Sequence, residues 1–305
     1  MKKLAFLFLI YDEINQEELW HNFFRKIDKT RYSVYIHYKY NKPLEYFEAY
    51  KIDETVPTDY ADLSLVKAQN VLLREALKDA KNERFIFLSN SCIPLKDFDY
   101  IYNALFAKDL CFFNMAKDEH IFESGRGQKL AERFGQENVR KASQWSILTR
   151  EIAQYLAESD DLLESLYESG KRGLADEYFY ISYIFYLNKQ HCIHEFHYEV
   201  ANCTTFEYWN DREYISDGEF TSDHPLGWER RLKTFHDISG RELLFLFNAP
   251  CLFGRKFSSD CTVDGKSSLL ERVTELFVRH TKTGLVIWGQ NIARKIYHFI
   301  TFHKI

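Results

Sequence analysis

The chain has 305 residues, of which 46% are hydrophobic and 28% charged, with a formal net charge of −5. That is apolar material for a substantial core, in one large domain or one domain with an extension, and the negative balance argues against a general nucleic-acid surface. Aromatic residues reach 17%, an excess that serves a core and also supplies flat rings that can stack on sugar faces.

The opening run Leu4 to Ile10 is continuously apolar. It imitates a signal peptide, but it is short and runs into Tyr11-Asp12-Glu13 with no small-residue cleavage site. It therefore reads as a first strand, buried on both faces. Without an export signal a cytoplasmic location with reduced thiols is expected. The six cysteines (Cys92, Cys111, Cys192, Cys203, Cys251 and Cys261) form no C-x-x-C motif. Glu17 to Ile27 reads as a helix and Tyr32 to His37 as a second strand. Leu63 to Lys78 carries a helical apolar stripe of Leu65, Val66, Leu72, Leu73 and Leu77. Arg84 to Ser89 is a strand ending in polar Ser89-Asn90-Ser91. Asp97 to Phe106 is a helix, Asp109 to Phe113 a strand. This alternation predicts an α/β domain with a mostly parallel sheet. Ligands bind such sheets beyond the carboxyl ends of the strands, so Ile10-Tyr11, His37-Tyr38 and Ser89-Asn90-Ser91 are candidate rim residues.

Lys117 to Arg140 is polar and mixed in sign, predicting loops and a helix beside the cleft. Gln144 to Leu148 reads as a short strand, Arg150 to Tyr155 as the start of a helix and Cys192 to Glu199 as a strand. Glu207 to Trp228 is loop-like, Glu242 to Phe247 is apolar, and Cys251 to Phe257 is expected to close the globular part. From Ser267 onward six basic side chains face two acidic ones, interleaved with Leu285, Val286, Trp288, Phe299 and Phe302. That stretch reads as one or two basic amphipathic helices, which either pack on the domain or touch a membrane surface. No stretch is long and apolar enough to span a membrane.

Asp176 and Glu177 stand just before the apolar run Tyr178 to Leu187. Carboxylates at a helix start are favoured by the macrodipole, and one placed there can also act as a general base. Arg255 and Lys256 sit in an apolar frame of Leu252, Phe253 and Phe257, where they are either a solvated basic pair or a cation held against a phosphate. Asp97-Phe98-Asp99 has the spacing of a metal-binding Asp-x-Asp but is better explained as a helix cap. His191, His194 and His197 have a spacing that suggests zinc, yet on a strand residues three apart face opposite ways.

Several stretches resemble one family in order and spacing. They are Phe6 to Ile10, Tyr60 to Gln69, Arg84 to Leu95, Lys141 to Glu151, Asp176-Glu177, Thr205 to Trp209, His224-Pro225 and Phe253 to Phe257. Together they resemble the core-2/I-branching β-1,6-N-acetylglucosaminyltransferase family, which also includes the protein xylosyltransferases. The resemblance implies a GT-A type nucleotide-sugar fold over residues 1–262, Rossmann-like with a mostly parallel central sheet, and leaves 263–305 as a helical extension. It implies inverting transfer from a UDP-sugar, most readily UDP-N-acetylglucosamine, to a hydroxyl of a glycan or lipid-linked glycan. No divalent metal or other cofactor is implied. Glu177 matches the family's catalytic base, Lys233 and Lys256 its diphosphate-binding cations, Tyr60 a donor-site tyrosine and Trp209 an acceptor-site tryptophan. Asp176 and Trp145 are secondary candidates within matched stretches. Lys233 stands where relatives carry Arg, so Arg230 or Arg231 could fill that role, and Lys39 stands where a donor-site Asp is expected. These departures leave open a xylosyl or other donor specificity, or a non-catalytic glycan- or nucleotide-binding protein on the same fold. The expected location is the cytoplasm, with peripheral contact at the inner face of the membrane through the basic tail.

Overall fold

A computed structural model of the chain describes residues 1–116, 121–122, 127–171, 173–197, 204–207 and 232–278. In chain order the first half runs β1 (Lys3–Ile10), α1 (Glu17–Phe24), β2 (Tyr32–Tyr38), α2 (Ser64–Leu77), β3 (Asn82–Ser89), β4 (Ile93–Pro94), α3 (Phe98–Phe106), β5 (Cys111–Met115) and α4 (Gln128–Phe134). It continues with β6 (Ile147–Thr149), α5 (Arg150–Ala157), α6 (Asp160–Leu166), α7 (Ala175–Tyr186), β7 (Ile193–His197) and β8 (Thr205–Glu207). β9 (Phe235–Ile238), α8 (Gly240–Asn248), β10 (Phe253–Arg255), β11 (Phe257–Val263) and β12 (Ser267–Ser268) follow, and a last helix, α9, covers 269–278.

The central sheet has the order β2-β1-β3-β6-β5-β7. β1 pairs parallel with β2 and β3, and β5 with β7. The short β6 runs against both of its neighbours. The pleat explains why β1 is apolar at every position. Leu4, Phe6, Phe8 and Ile10 join one core with Trp20, Phe24, Phe98 and Ile101 of α1 and α3. Ala5, Leu7 and Leu9 join the opposite core with residues of α2, α5 and α7. A strand covered by helices on both faces needs this pattern. Trp20 anchors the first face, edge-on to Phe8 at 5.1 Å and donating its indole N–H to the Cys92 carbonyl at 2.9 Å.

A third core lies beside this sandwich, built on two small sheets, β4-β10-β8 and β12-β11-β9. Phe235, Leu243, Phe247, Phe257, Val263, Leu269 and Val273 fill it. The apolar run Glu242–Phe247 forms α8, started by a capping box in which Ser239 Oγ accepts from Glu242 N and the Glu242 carboxylate accepts from Ser239 N. The expected domain limit at 262/263 falls inside β11, and α9 buries Leu269 and Val273 at 1% exposure each. The globular part therefore runs past Phe257 to at least residue 278. Ion pairing of Arg272 with Glu275 at 2.6 Å decorates the outer side of α9. Other shifts are small: the first helix stops at Phe24, the strand expected from Gln144 begins at Ile147, and α6 had no counterpart in the sequence reading.

Candidate active site

The candidate site forms where the third core docks on the carboxyl end of β3. Phe257 N donates to the Ser91 carbonyl at 3.0 Å, and Asn15 N to the Asn90 carbonyl at 2.9 Å. Asn15 Nδ2 donates to the Phe257 carbonyl at 2.8 Å. These bonds hold the start of β11, and Lys256 immediately before it, at the edge where α/β sheets receive ligands. Ser89-Asn90-Ser91 is thus part of the rim, as expected. His37 is not: it is fully enclosed, its Nε2 accepts from Val56 N at 3.0 Å, and burial holds its imidazole down at about 4.

α7 presents the two carboxylates. Its entry residue Leu174 adopts φ 52° and donates its N–H to the Ala61 carbonyl at 3.0 Å, which ties the Tyr60 loop to the start of the helix. Tyr178, Phe179, Tyr180, Ile181 and Ile184 are all buried, so the helix is fixed on most sides and its first turn has little freedom. The Glu177 carbonyl accepts from Ala142 N at 2.9 Å. Its carboxylate lies 3.4 Å from the Lys141 ammonium and keeps 30% side-chain exposure, so the pair is open to exchange with a ligand. Asp176 differs. Its Oδ1 is enclosed and has no hydrogen-bond partner among the described residues. Burial, then the neighbouring Glu177 charge, push its carboxyl up to about 7, against the pull of a backbone N–H and Arg255.

Arg255 links the carboxylates to Lys256. The parallel register of β10 on β8 sets Arg255 opposite Glu207, and the two form an ion pair at 2.8 Å with side chains 11% and 9% exposed. The guanidinium lies 4.5 Å from the Trp145 ring centroid, where cation–π attraction adds to the pairing. Burial raises the Glu207 carboxyl, Arg255 lowers it, and the Glu177 charge raises it further. Lys256 is held below the usual ammonium range, first by burial and then by Arg255, with Glu207 opposing. A desolvated ammonium beside a guanidinium gains from a polyanion brought next to it. Lys233 is two residues ahead of Phe235, whose N–H donates to the Lys256 carbonyl at 2.8 Å, so the backbone at Lys233 runs close to that at Lys256. Lys233 Nζ lies 4.6 Å from the Phe235 ring centroid.

The structure thus gathers Asp176, Glu177, Trp145 and Lys256 around one edge, with Lys233 next to it. Tyr60 is 79% exposed on its loop. Lys39, at the position of the expected donor-site Asp, pairs with Asp59 at 2.9 Å. Trp209, His224, Pro225, Arg230 and Arg231 lie outside the described residues. Asp97 caps α3 by accepting from Tyr100 N at 2.8 Å, and Asp99 pairs with Arg31 at 2.7 Å, so the Asp-x-Asp is spent on a helix start. His191 precedes β7 in a short helical turn, while His194 lies on β7 and stacks on Phe112. No group of three or more metal-ligating side chains occurs among the described residues. Lys141 and Glu207 received no role from the sequence. Both lie inside the motif-bearing stretches, but their partners are 36 and 48 positions away, where no periodicity points.

A mainly parallel sheet with carboxylates and fixed cations at its carboxyl edge is a GT-A type α/β architecture. The model of the Core-2/I-Branching enzyme family matches residues 4–218, and the chain belongs to that family. A curated relative is glycosyltransferase BC10 of Oryza sativa subsp. japonica, 32% identical over 178 residues, which are 56% of this chain and 44% of the rice protein. The match thus takes in less than half the length of that relative. Among solved structures, the crystal structure of A197 from STIV aligns over 50% of this chain and 68% of its own, with 9% identity and a TM-score of 0.25, too low to carry an argument. Glu177 lies within the family match, while Lys233 and Lys256 lie beyond its end at 218.

Proposed function

We propose that this protein is an inverting glycosyltransferase that moves a sugar, N-acetylglucosamine in the first instance, from a UDP-sugar to a hydroxyl of a glycan or lipid-linked glycan. The observation that supports it best is the pairing of a part-exposed carboxylate, Glu177, with a desolvated ammonium, Lys256, across the Arg255–Glu207 pair. Glu207 feels the charge of both. In this reading Glu177 takes the proton of the attacking hydroxyl. The acceptor oxygen forms its bond to the anomeric carbon as the bond from that carbon to the diphosphate breaks. The electron pair leaves with the diphosphate oxygen, and Lys256 and Lys233 meet the charge that develops there. Fixed cations then do the work that a divalent ion does in other sites, and no added metal is required. The basic stretch after residue 278 is proposed to hold the enzyme peripherally at the inner face of the membrane.

The test is transfer and donor hydrolysis with a panel of UDP-sugars, each with excess chelator and with Mn²⁺. Turnover that persists in chelator supports the reading. Activity that chelator abolishes and Mn²⁺ restores refutes the fixed-cation mechanism, and no turnover with any nucleotide sugar refutes the enzyme.

A further inference from the structure

Arg255 and Glu207 pair in a dry place, with side chains 11% and 9% exposed. Withdrawing two charges from water can cost more than their attraction returns, and apolar side chains of similar volume often leave stability unchanged or raise it. Stability alone therefore does not account for this pair. A guanidinium supplies direction, which an apolar side chain does not: its planar fork fixes the angle and distance at which a partner sits.

The described contacts of that fork lead back to one anchor. Arg255 Nη1 donates to the Glu207 carboxylate at 2.8 Å, and the guanidinium lies 4.5 Å from the Trp145 ring centroid. Its Nε has no acceptor among the described residues. Glu207 ends β8, and Trp145 belongs to the 142–146 segment. Asn114 of β5, 1% exposed, fastens both. Its carbonyl accepts from Ser143 N at 2.9 Å, its Oδ1 accepts from Thr204 N at 2.9 Å, and its Nδ2 donates to the Thr205 carbonyl at 3.0 Å. The same 142–146 segment holds the Glu177 carbonyl through Ala142 N. Arg255 itself arrives on β10, with Lys256 next in the chain. The guanidinium thus joins the strand that leads to the cation to the segment that holds the base. Glu207 responds to the charges at both ends, Glu177 and Lys256.

We propose that Arg255 and Glu207 are positioning residues: seated on Trp145, the pair sets the separation between the Lys256 ammonium and the Glu177 carboxylate. The proposal rests on the transfer reading above and adds to it two residues that act through their neighbours and not on substrate. In-line displacement needs the acceptor oxygen, the anomeric carbon and the leaving oxygen aligned, and a misplacement of about 1 Å can cost about 10²-fold in rate. UDP binding tolerates more, because an ammonium on a flexible stem acts as a point charge. Loss of the pair should therefore show in kcat before it shows in affinity.

Single apolar substitutions would leave one buried charge unpaired and can unfold the chain. The first variant is therefore Arg255→Met with Glu207→Met, which removes one charge of each sign and nearly keeps the volume. The second is Arg255→Lys, which keeps both charges and loses only the fork. Thermal melts check that each folds. Calorimetric titration with UDP, transfer from the best UDP-sugar and amide hydrogen exchange are then compared with wild type. In both variants kcat should fall by about tenfold or more, while UDP affinity stays within about threefold. Exchange should quicken across residues 253–258, where Phe257 N–H bonds to the Ser91 carbonyl. Wild-type kcat in either folded variant overturns the proposal. So does unchanged exchange across 253–258, or a kcat loss matched by an equal loss of UDP affinity, which would make the pair part of the diphosphate site. If wild type moves no sugar from any UDP donor while exchange still quickens in the variants, the enzyme reading falls and the joint between the two segments stands.

Discussion

Asp176→Asn offers a test of the site's electrostatics that needs no substrate. The wild-type carboxyl is raised from 3.8 to about 7, chiefly by burial. Between those two values the folded protein keeps a proton that the unfolded chain releases, so stability falls as pH rises through this window. A shift of about three units corresponds to roughly 4 kcal/mol at about 1.4 kcal/mol per unit. Relaxation of the site around the ionised carboxylate reduces this, so about 2–4 kcal/mol is expected. Asparagine cannot ionise, so the variant should be more stable than wild type above about pH 7.5 by that amount, and close to it near pH 4. Urea unfolding at a series of pH values measures the difference directly. A wild-type–variant difference that stays constant from about pH 4 to 8 would refute the placement of Asp176 in a dry, charge-opposed position. The same variant should lose far less turnover than one at Glu177.

Glu177→Gln should lower turnover by about 10²-fold or more while UDP binding is kept; wild-type turnover in that variant would remove Glu177 as the base. Lys256→Ala should weaken UDP binding by about 2–4 kcal/mol, and Lys233→Arg should be tolerated or improve binding because Arg grips phosphate with two parallel bonds; calorimetric titration with UDP decides both. Lys96 is 8% exposed, donates to the Phe247 carbonyl and is lowered from 10.5 to about 8 by burial. The unfolded chain therefore holds its proton longer, stability should rise from about pH 8 to 10, and Lys96→Met should abolish that rise in urea titrations. A chain ending at Lys266 loses the buried Leu269 and Val273, each worth about 1.5–3 kcal/mol, and its melting temperature should drop sharply. A chain ending at Val278 should melt like the full chain but stop sedimenting with anionic vesicles; if it still sediments, the membrane reading of the basic stretch fails.

Much of the scaffold was legible because it is written locally. The unbroken apolar run of β1, the stripe of α2, the cap at Asp97 and the apolar body behind Asp176-Glu177 each follow from chain geometry within a few residues. The motif stretches single out Glu177 and Lys256, and the fold brings them near the Arg255–Glu207 pair. What stayed hidden is what depends on pairing over distance. Arg255 meets Glu207 only because β10 lies parallel to β8 in one register, and a one-residue slip would turn those side chains to opposite faces. The limit expected at 262 cut β12 and α9 off from the domain although a helix was expected there, because the helical period of Leu269, Leu270, Val273, Leu276 and Phe277 shows an apolar face but not the third core that covers it. The unpaired oxygens of Ser146, Gln144 and Asp176 are likewise invisible in a sequence. Residue type says that each wants a partner, and only the packing of α7 against the 142–146 segment decides that none is supplied by the described chain.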